Sequence, residues 1–424
     1  MEIINDQYRE YKLNNGLVVV LQRTPTQTVV GKLRVNYGSS HEKEGEEGMA
    51  HFLEHYLVTG GSAKYDPITA DDLRRSFGYY GTFTNIGRTN FVAQMLSEDF
   101  EAWMSYVSDH ALKPRFDQDR VNGEKERVLR EISDAKSSPT YLAGSEFNTI
   151  FYQGHPKGRF NLGNEDIVRN ADFEEIRRFH TRGFHPNNMD LILVGGLPEN
   201  IEELVERYFG DASAGENTRE EFPALLSVPQ KIVIHRPAPE RINQDNPDES
   251  SAQISLAYTA TTETHPDNYS LRIMSQILGG DTTSFLFQNM GLKKGLAYDV
   301  GSSCDGDYNG GEMHINATVP AKRINEAVEA IFEEMQRVKS QIVPERTLER
   351  IRRIAKYDFV KGFESNEGHF SAIEGKLDNN LTPESRLKGY YAVTPDRVLE
   401  VANKYLPDKE GKYVLYIRDP LKRD

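Results

Sequence analysis

An internal repeat constrains the fold of this chain more than any other feature. Three segments of the second half parallel three segments of the first half, in the same order. The segment GKLRVNYGSSHEKEGEEGMAHFLEHYLVTGG parallels ISLAYTATTETHPDNYSLRIMSQILGG, RFDQDRVNGEKERVLREI parallels IVPERTLERIRRIAKYDF, and ADFEEIRRFHTRGF parallels TPDRVLEVANKYL. In the first pair, a strand ends in tyrosine and is followed by a polar loop, an apolar helix and Gly-Gly. We therefore predict an α+β fold of two homologous α/β-layered domains that arose by internal duplication.

The length of the chain agrees with two domains. At 424 residues it is too long for one ordinary hydrophobic core. The stretch GDASAGENTREEFPALLSVPQ has no apolar period and is rich in residues typical of linkers. We predict a first domain over residues 1–212, a linker over 213–228 and a second domain over 229–424.

Charge and cysteine content narrow the class of partner and the compartment. The formal net charge is −14 (51 basic against 65 acidic residues), which argues against nucleic acid and anionic membranes and is compatible with basic peptides. Cys304 is the single cysteine, so no disulfide forms within the chain. We find neither a secretory presequence nor an apolar run of about 18 residues, and we expect a cytoplasmic protein.

The helix of the first repeat carries the motif His51-Phe52-Leu53-Glu54-His55. Residues four apart lie on one face of a helix, so His51 and His55 can direct ring nitrogens at one ion. Imidazole nitrogens suit Zn²⁺, and catalytic zinc takes three protein ligands and keeps one open position. Glu54 lies at the rim of the same face, where a general base for the attacking water belongs. This order is that of the inverzincin motif.

A third ligand must come from another part of the chain. The segment GEKERVLREI offers Glu124, Glu126 and Glu131 on one predicted helix. Glu124 and Glu131 are seven residues apart and share a face, whereas Glu126 points away. Such a pair can supply one metal ligand and one carboxylate that orients a ligand.

The second repeat serves as an internal control for these polar residues. When Leu57 is aligned with Leu278, the motif residues and the two glutamates fall opposite residues that cannot form the same site. The pairs are His51 with Arg272, Glu54 with Ser275, His55 with Gln276, Glu124 with Ile351 and Glu131 with Asp358. A helix of this shape therefore does not need the histidines and the glutamate in order to fold.

The histidine motif with its distant glutamates resembles the pitrilysin (insulinase) family of zinc metallopeptidases, in its short two-domain bacterial, archaeal or processing-peptidase-like branch. The segments GLAYDVGSS and GRFNLGNEDIVRNADFEEIRRFHTRGFHPNNMDLILVGG carry the likeness over nearly the whole chain. The resemblance implies one Zn²⁺ per chain held by His51, His55 and Glu131, with Glu54 as base and Glu124 as supporting carboxylate. It also implies a dimer whose two chains enclose a chamber, in which an unfolded peptide adds as a strand to a sheet edge.

Two positions depart from the family pattern. Active members commonly carry an arginine and a tyrosine seven residues apart that hold the substrate; Tyr298 matches the tyrosine, but Gly291 stands at the arginine position. Lys293 and Lys294 are imperfect substitutes because lysine lacks the planar fork. Tyr298 can act as a substrate contact that stabilises the oxyanion, or it can be a packed strand residue.

The predicted substrate-edge strand, around residues 81–85, departs as well. Thr82 and Phe83 stand where an asparagine–alanine pair is usual, and Asn85 follows slightly later. The chain is accordingly expected to be a homodimer with altered contacts, or the zinc-bearing subunit of a heterodimer whose homologous partner supplies the arginine and tyrosine. A zinc-dependent peptidase is the predicted function. The alternative is a non-catalytic structural or regulatory subunit of a larger assembly. Mn²⁺ or Co²⁺ in place of zinc also stays open.

Overall fold

Two β-sheets with matching strand connections form the framework of the protein. The computed structural model describes residues 7–160, 162–219, 224–225, 227–307 and 309–423. The strands are β1 Tyr8–Lys12, β2 Val18–Arg23, β3 Thr28–Val35, β4 Tyr79–Thr84, β5 Thr89–Leu96, β6 Met189–Gly195, β7 Ile232–Pro237, β8 Ser251–Ala260, β9 Asp299–Gly306, β10 Gly311–Pro320 and β11 Val414–Asp419.

The two sheets share one topology. The first has the order β1-β2-β6-β3-β5-β4 and the second the order β7-β11-β8-β10-β9. In each sheet one pair is parallel, β2 with β6 and β7 with β11. The remaining pairs of both sheets are antiparallel. Apart from β1, each strand of the first sheet has a counterpart in the second, which confirms the predicted duplicated α+β fold.

The helices follow the same scheme of repetition. They are α1 Met49–Thr59, α2 Pro67–Ser76, α3 Phe100–Leu112, α4 Gln118–Ser137, α5 Pro139–Phe151, α6 Glu165–Asn170, α7 Phe173–Gly183, α8 Ile201–Phe209, α9 Asn268–Gly279, α10 Ile324–Ser340, α11 Glu345–Gly362, α12 Asn366–Asn379, α13 Pro383–Ala392 and α14 Pro395–Tyr405. By chain order, α1 corresponds to α9 and α3–α7 correspond to α10–α14. None of the helices in the described residues has the length and apolar character that crossing a bilayer requires.

The chain divides into two compact units. Unit 1 comprises Met1–Leu142, Arg159–Glu221 and Lys361–Glu374, and unit 2 comprises Ala143–Gly158, Phe222–Val360 and Gly375–Asp424. Each unit thus takes in a short helical segment of the other half of the sequence. In unit 1, Lys32 of β3 pairs with Glu374 of α12 at 2.7 Å. In unit 2, Phe147 and Phe151 of α5 pack in a buried cluster with Tyr416 of β11.

The predicted domain bounds, 1–212 and 229–424, stay a prediction. Part of the predicted linker, at residues 220–223 and 226, lies outside the described residues.

The core of unit 1 supports the helices that carry the motif. Val29, Leu33 and Val35 alternate along β3 and are buried with residues of α1, α3 and α4, as expected for a strand with one face on a helical layer. Gly31 belongs to the same face, where a Cβ atom would lie 2.6 Å from the ring of Trp103. The close approach of α3 to β3 therefore requires glycine at this position.

Candidate metal centre

Helix α1 holds the two histidines of the motif one turn apart. Gly48, with φ 102°, precedes the helix, and the N–H of Gly60 bonds to the carbonyl of Tyr56 at its end. The Nε2 atoms of His51 and His55 are 3.1 Å apart, and the two rings are nearly perpendicular at 85°. The two Nε2 atoms are therefore close enough to be directed at one ion.

Helix α4 brings a carboxylate to the same point. Oε2 of Glu131 lies 3.2 Å from Nε2 of His55 and 3.6 Å from Nε2 of His51. Among the described residues, these three form the single cluster of histidine, cysteine and acidic side chains whose ligand atoms are close enough to share an ion. Glu131 is the most exposed of the three, which leaves one side of the cluster open to solvent.

The spacing of the three ligand atoms fits a tetrahedral zinc ion. Ligands about 2.0–2.1 Å from such an ion lie roughly 3.3–3.4 Å from one another. The three separations, 3.1, 3.2 and 3.6 Å, bracket that value. Burial lowers the pKa of His51 to about 4, an effect that the neighbouring His55 increases and the carbonyl of Leu162 opposes. His51 is therefore neutral at pH 7, the form in which imidazole binds a metal.

Glu124 lies behind His55, on the same face of α4 as Glu131. It is 6 % exposed, and its Oε2 atom is 3.9 Å from Nδ1 of His55. This oxygen is buried without a hydrogen-bond partner, while the other oxygen lies 3.6 Å from the guanidinium of Arg127. A carboxylate beside the ring nitrogen that does not face the metal is the usual arrangement around metal-binding histidines.

Glu54 lies outside the three-ligand cluster and is only 7 % exposed. The hydroxyl of Thr82 donates a hydrogen bond of 2.7 Å to its Oε1 atom. The sequence placed Thr82 on the substrate-edge strand but missed this bond to the predicted base. The available signal was the alternation of side chains along β4, which puts Thr82 and Thr84 on one face of the strand. In the structure this face looks towards α1, since Thr84 bonds to the carbonyl of Ala50.

Strand β4 is the edge of the first sheet and pairs with β5 alone. Its second face carries Tyr79 and Phe83, which are 53 % and 44 % exposed. The ammonium of Lys32 lies 5.1 Å from the centre of the Phe83 ring. Asn85 falls beyond the end of β4, because its side-chain oxygen accepts from the N–H groups of Gly87 and Arg88 in the following turn. The strand predicted over residues 81–85 therefore runs over residues 79–84 in the structure.

Tyr298 lies directly before β9 in unit 2, and its backbone N–H bonds to the carbonyl of Thr318. Its side chain is 94 % exposed, which rules out the packed strand residue that the sequence left open. Gly291 lies in the helical turn of residues 287–293. Lys294 forms an ion pair of 2.6 Å with Glu333, so it is already engaged and is a poor substitute for the missing arginine.

Helix α9 of unit 2 shows the same helix without the site. Its twelve residues, NYSLRIMSQILG, contain no histidine and no carboxylate. The hydroxyl of Ser275 is 2.9 Å from that of Ser302 on β9. The residues that could hold a metal are thus confined to α1 and α4 among the described elements.

Comparison with known protein families also distinguishes the half of the chain that has the metal-binding residues from the half that lacks them. The sequence model of the family "Insulinase (Peptidase family M16)" matches residues 18–164, which include α1, β4 and α4. The model "Peptidase M16 inactive domain" matches residues 170–355, which include α9. The chain belongs to the insulinase family of peptidases. The resemblance drawn from the histidine motif is therefore confirmed.

Relatives of this insulinase-family chain match it over almost its full length. An uncharacterized zinc protease of Bacillus subtilis is 25 % identical over 402 residues, which cover 93 % of this chain and 95 % of that protein. A second uncharacterized zinc protease, from Rickettsia bellii, is 24 % identical over 410 residues and 95 % of both chains. The crystal structure of a protease from Helicobacter pylori has a TM-score of 0.82 at 20 % identity and covers 97 % of this chain and 99 % of its own.

Proposed function

We propose that the chain is a zinc-dependent peptidase that hydrolyses unstructured peptides. One observation carries the proposal: three ligand atoms on α1 and α4 are separated by 3.1–3.6 Å, the spacing of a tetrahedral zinc site. The duplicated helix α9 has no such residues. The names of the two relatives, both zinc proteases, support the same metal and the same activity.

His51, His55 and Glu131 would hold one zinc ion per chain, and Glu124 would orient His55 from behind. When bound, zinc supplies Lewis acidity, which polarises a carbonyl group and lowers the pKa of water to about 7. Mn²⁺ and Co²⁺ accept the same ligands, so the ion in the cell depends on availability. The Oε2 atom of Glu124 is buried without a partner beside Nδ1 of His55, which suits it to accept a hydrogen bond from that nitrogen and would leave Nε2 to the metal.

Glu54 acts as the general base in the proposed reaction. The oxygen of a water molecule forms a bond to the carbonyl carbon of the scissile peptide while Glu54 takes the proton of that water. Glu54 then gives the proton to the nitrogen of the leaving amine, and the C–N bond breaks. The exposed phenol of Tyr298 is available to hold the substrate and stabilise the oxyanion.

Strand β4 offers the peptide a place to bind. It is a sheet edge, and a peptide that adds to such an edge gains backbone hydrogen bonds regardless of its sequence. Thr82 and Phe83 belong to this strand, and Asn85 lies in the turn that follows it. A folded protein does not present a free extended segment, so the preferred substrates would be unfolded chains.

Assembly, substrate charge and location complete the proposal. The resemblance favours a dimer chamber, formed by two copies or by this chain and a homologous subunit with the arginine–tyrosine pair. The net charge of −14 favours basic peptides if acidic residues line that chamber. A chain with one cysteine gains nothing from an oxidising compartment, which favours the cytoplasm.

The test is hydrolysis of a mixed pool of unstructured peptides by the purified zinc-loaded chain and by its Glu54→Gln variant. We expect cleavage by the wild type and a loss of about 100- to 10,000-fold in the variant, with zinc still bound. The control is Glu126→Gln, since Glu126 is an exposed residue on α4. Equal activity of wild type and Glu54→Gln would contradict the proposal and favour the non-catalytic subunit. Zinc binding without any cleavage would exclude a self-sufficient peptidase and require the partner subunit.

A further inference from the structure

The hydrogen bond between Thr82 and Glu54 joins the edge strand to the predicted base. The donor is the hydroxyl of Thr82 and the acceptor is Oε1 of Glu54, at 2.7 Å. In the described part of the chain no other donor hydrogen-bonds to this carboxylate. Its Oε2 atom is therefore free to meet a water molecule, while Oε1 is fixed.

Among the side chains of β4, Thr82 alone is placed to bond to Glu54. Thr82 and Tyr80 lie on the face of β4 that looks towards α1, and Tyr80 is engaged with Tyr106. Thr84, the next residue on that face, reaches only the backbone carbonyl of Ala50, at 3.4 Å. Thr82 is thus the one side chain of the strand whose hydroxyl fixes Glu54.

We propose that Thr82 is a positioning residue, which holds the carboxylate of Glu54 in the orientation that proton transfer needs and couples it to the strand that receives the peptide. The proposal rests on the proposed function of Glu54 as base. A glutamate side chain has three rotatable bonds, and a charge-assisted hydrogen bond restricts it to one arrangement. A peptide paired along β4 would fix the backbone of Thr82 and, through its hydroxyl, the base.

The expected consequence is a loss in turnover without a loss in binding. A base displaced by about 1 Å can lower the rate by up to roughly 100-fold, because proton transfer depends on short range and direction. Substrate binding depends on the backbone of β4, which a change of side chain from threonine to valine leaves intact. Valine has the shape and the strand preference of threonine and lacks only the hydroxyl.

The experiment compares Thr82→Val with Thr82→Ser in the zinc-loaded full chain, with kcat and KM measured separately on one unstructured peptide. We expect Thr82→Val to lower kcat about 10-fold with KM within about twofold, and Thr82→Ser to restore most of the loss. Zinc content and melting temperature report whether either variant is merely misfolded. The matched control is Ser302→Ala, which removes the corresponding strand–helix hydrogen bond of unit 2 and should leave both constants unchanged.

The outcomes separate this inference from the function on which it rests. Turnover by the wild type that is unchanged in Glu54→Gln overturns the proposed function. An active wild type with Thr82→Val equal to it overturns the role of Thr82 alone. A rise in KM at constant kcat would also overturn the inference, because Thr82 would then serve only the binding of the peptide. Failure of Thr82→Ser to recover turnover would contradict the positioning role of the hydroxyl.

Discussion

Two helix–strand pairs of the molecule share a place in the fold and differ in chemistry. In unit 1, Glu54 of α1 accepts a hydrogen bond of 2.7 Å from Thr82 of β4. In unit 2, α9 and β9 are joined by two hydroxyls, Ser275 and Ser302, at 2.9 Å. The strand order around both pairs is the same. The fold therefore accepts a small neutral pair at a position where unit 1 has a buried carboxylate.

The difference shows that the polar residues of unit 1 are not there for stability. His51, Glu54 and Glu124 are each less than 9 % exposed. Burying an ionisable group costs free energy unless it is paired, and a small polar or apolar residue costs less. Opposite Glu54, helix α9 of unit 2 has the small neutral residue Ser275, and its one charged residue, Arg272, lies 3.8 Å from the carboxylate of Glu263. The cost in unit 1 is consistent with selection for a metal and a base.

The largest expected effect is the loss of the metal from α1. Replacing His55 by alanine removes one of three ligands, and we expect bound zinc to fall from about one per chain to near zero. Hydrolysis should fall by about 1,000-fold or more, since the metal supplies several kcal/mol of transition-state stabilisation. Metal content after dialysis and peptide hydrolysis are the measurements.

The matched control is Gln276→Ala, at the position on α9 that the repeat aligns with His55. Gln276 is exposed, so its removal should change neither zinc content nor activity. Retention of zinc by His55→Ala, or an equal loss in both variants, would break the comparison between the two helices.

Several parts of this site follow from the sequence because they depend on local periodicity. The four-residue spacing puts His51 and His55 on one face of α1, and the seven-residue spacing puts Glu124 and Glu131 on one face of α4. The repeat also predicts the paired sheets, because strand and helix patterns recur in the same order. These features need only the geometry of a helix or strand and one long-range contact, between α1 and α4.

Other parts depend on tertiary register, which the sequence pattern does not contain. The bond from Thr82 to Glu54 requires β4 to pair with β5 so that Thr82 lies opposite Phe91 and faces α1. The membership of residues 361–374 in unit 1 depends on contacts such as that of Lys32 with Glu374. The exposure of Tyr298 depends on where β9 begins. Composition and spacing determine none of these contacts.

A smaller effect is expected from the carboxylate behind the ligands. Glu124→Gln keeps the shape of the side chain and removes the charge that faces Nδ1 of His55 at 3.9 Å. We expect zinc affinity to fall about 10- to 100-fold. Competition with a chelator of known affinity measures the change. Glu126→Gln, two residues away on the exposed side of α4, is the control, and an equal effect in both variants would mean that only net charge matters.

The exposed face of β4 should affect substrate binding more weakly. Phe83→Ala removes an exposed ring from the edge strand, and we expect KM for unstructured peptides to rise about tenfold with kcat little changed. Val233→Ala, an exposed apolar residue on the edge strand β7 of the second sheet, should leave KM unchanged. Equal KM values for wild type and Phe83→Ala would show that side chains on this face do not contact the peptide.

The smallest expected effect is a change in stability on replacing the glutamate that precedes α1 or α9, Glu42 or Glu263. Glu42 accepts a hydrogen bond from the backbone N–H of Ala50, and burial raises its pKa to about 7. Glu263 is instead paired with Arg386 at 2.9 Å and bonded by Asn379 at 2.6 Å. Removing the charge should therefore have opposite consequences in the two units.

The raised pKa of Glu42 determines whether its charge stabilises or destabilises the folded chain. The folded chain keeps the proton up to a pH of about 7, whereas the unfolded chain loses it near its ordinary value of 4.5. The free energy of unfolding therefore falls as pH rises between these values and stays low above them. Glu42→Gln removes that loss, and we expect it to raise stability by about 1 kcal/mol at pH 8 and to leave it unchanged near pH 4.

Glu263→Gln should lower stability at pH 8 by about 1 kcal/mol, because the partly exposed guanidinium of Arg386 loses its ion-pair partner. Denaturant unfolding of the metal-free chain at the two pH values measures both variants without interference from the site. Destabilisation by Glu42→Gln at pH 8 would mean that the hydrogen bond to Ala50 outweighs the cost of burying the charge. The loop before α1 would then be held by its carboxylate, as the loop before α9 is.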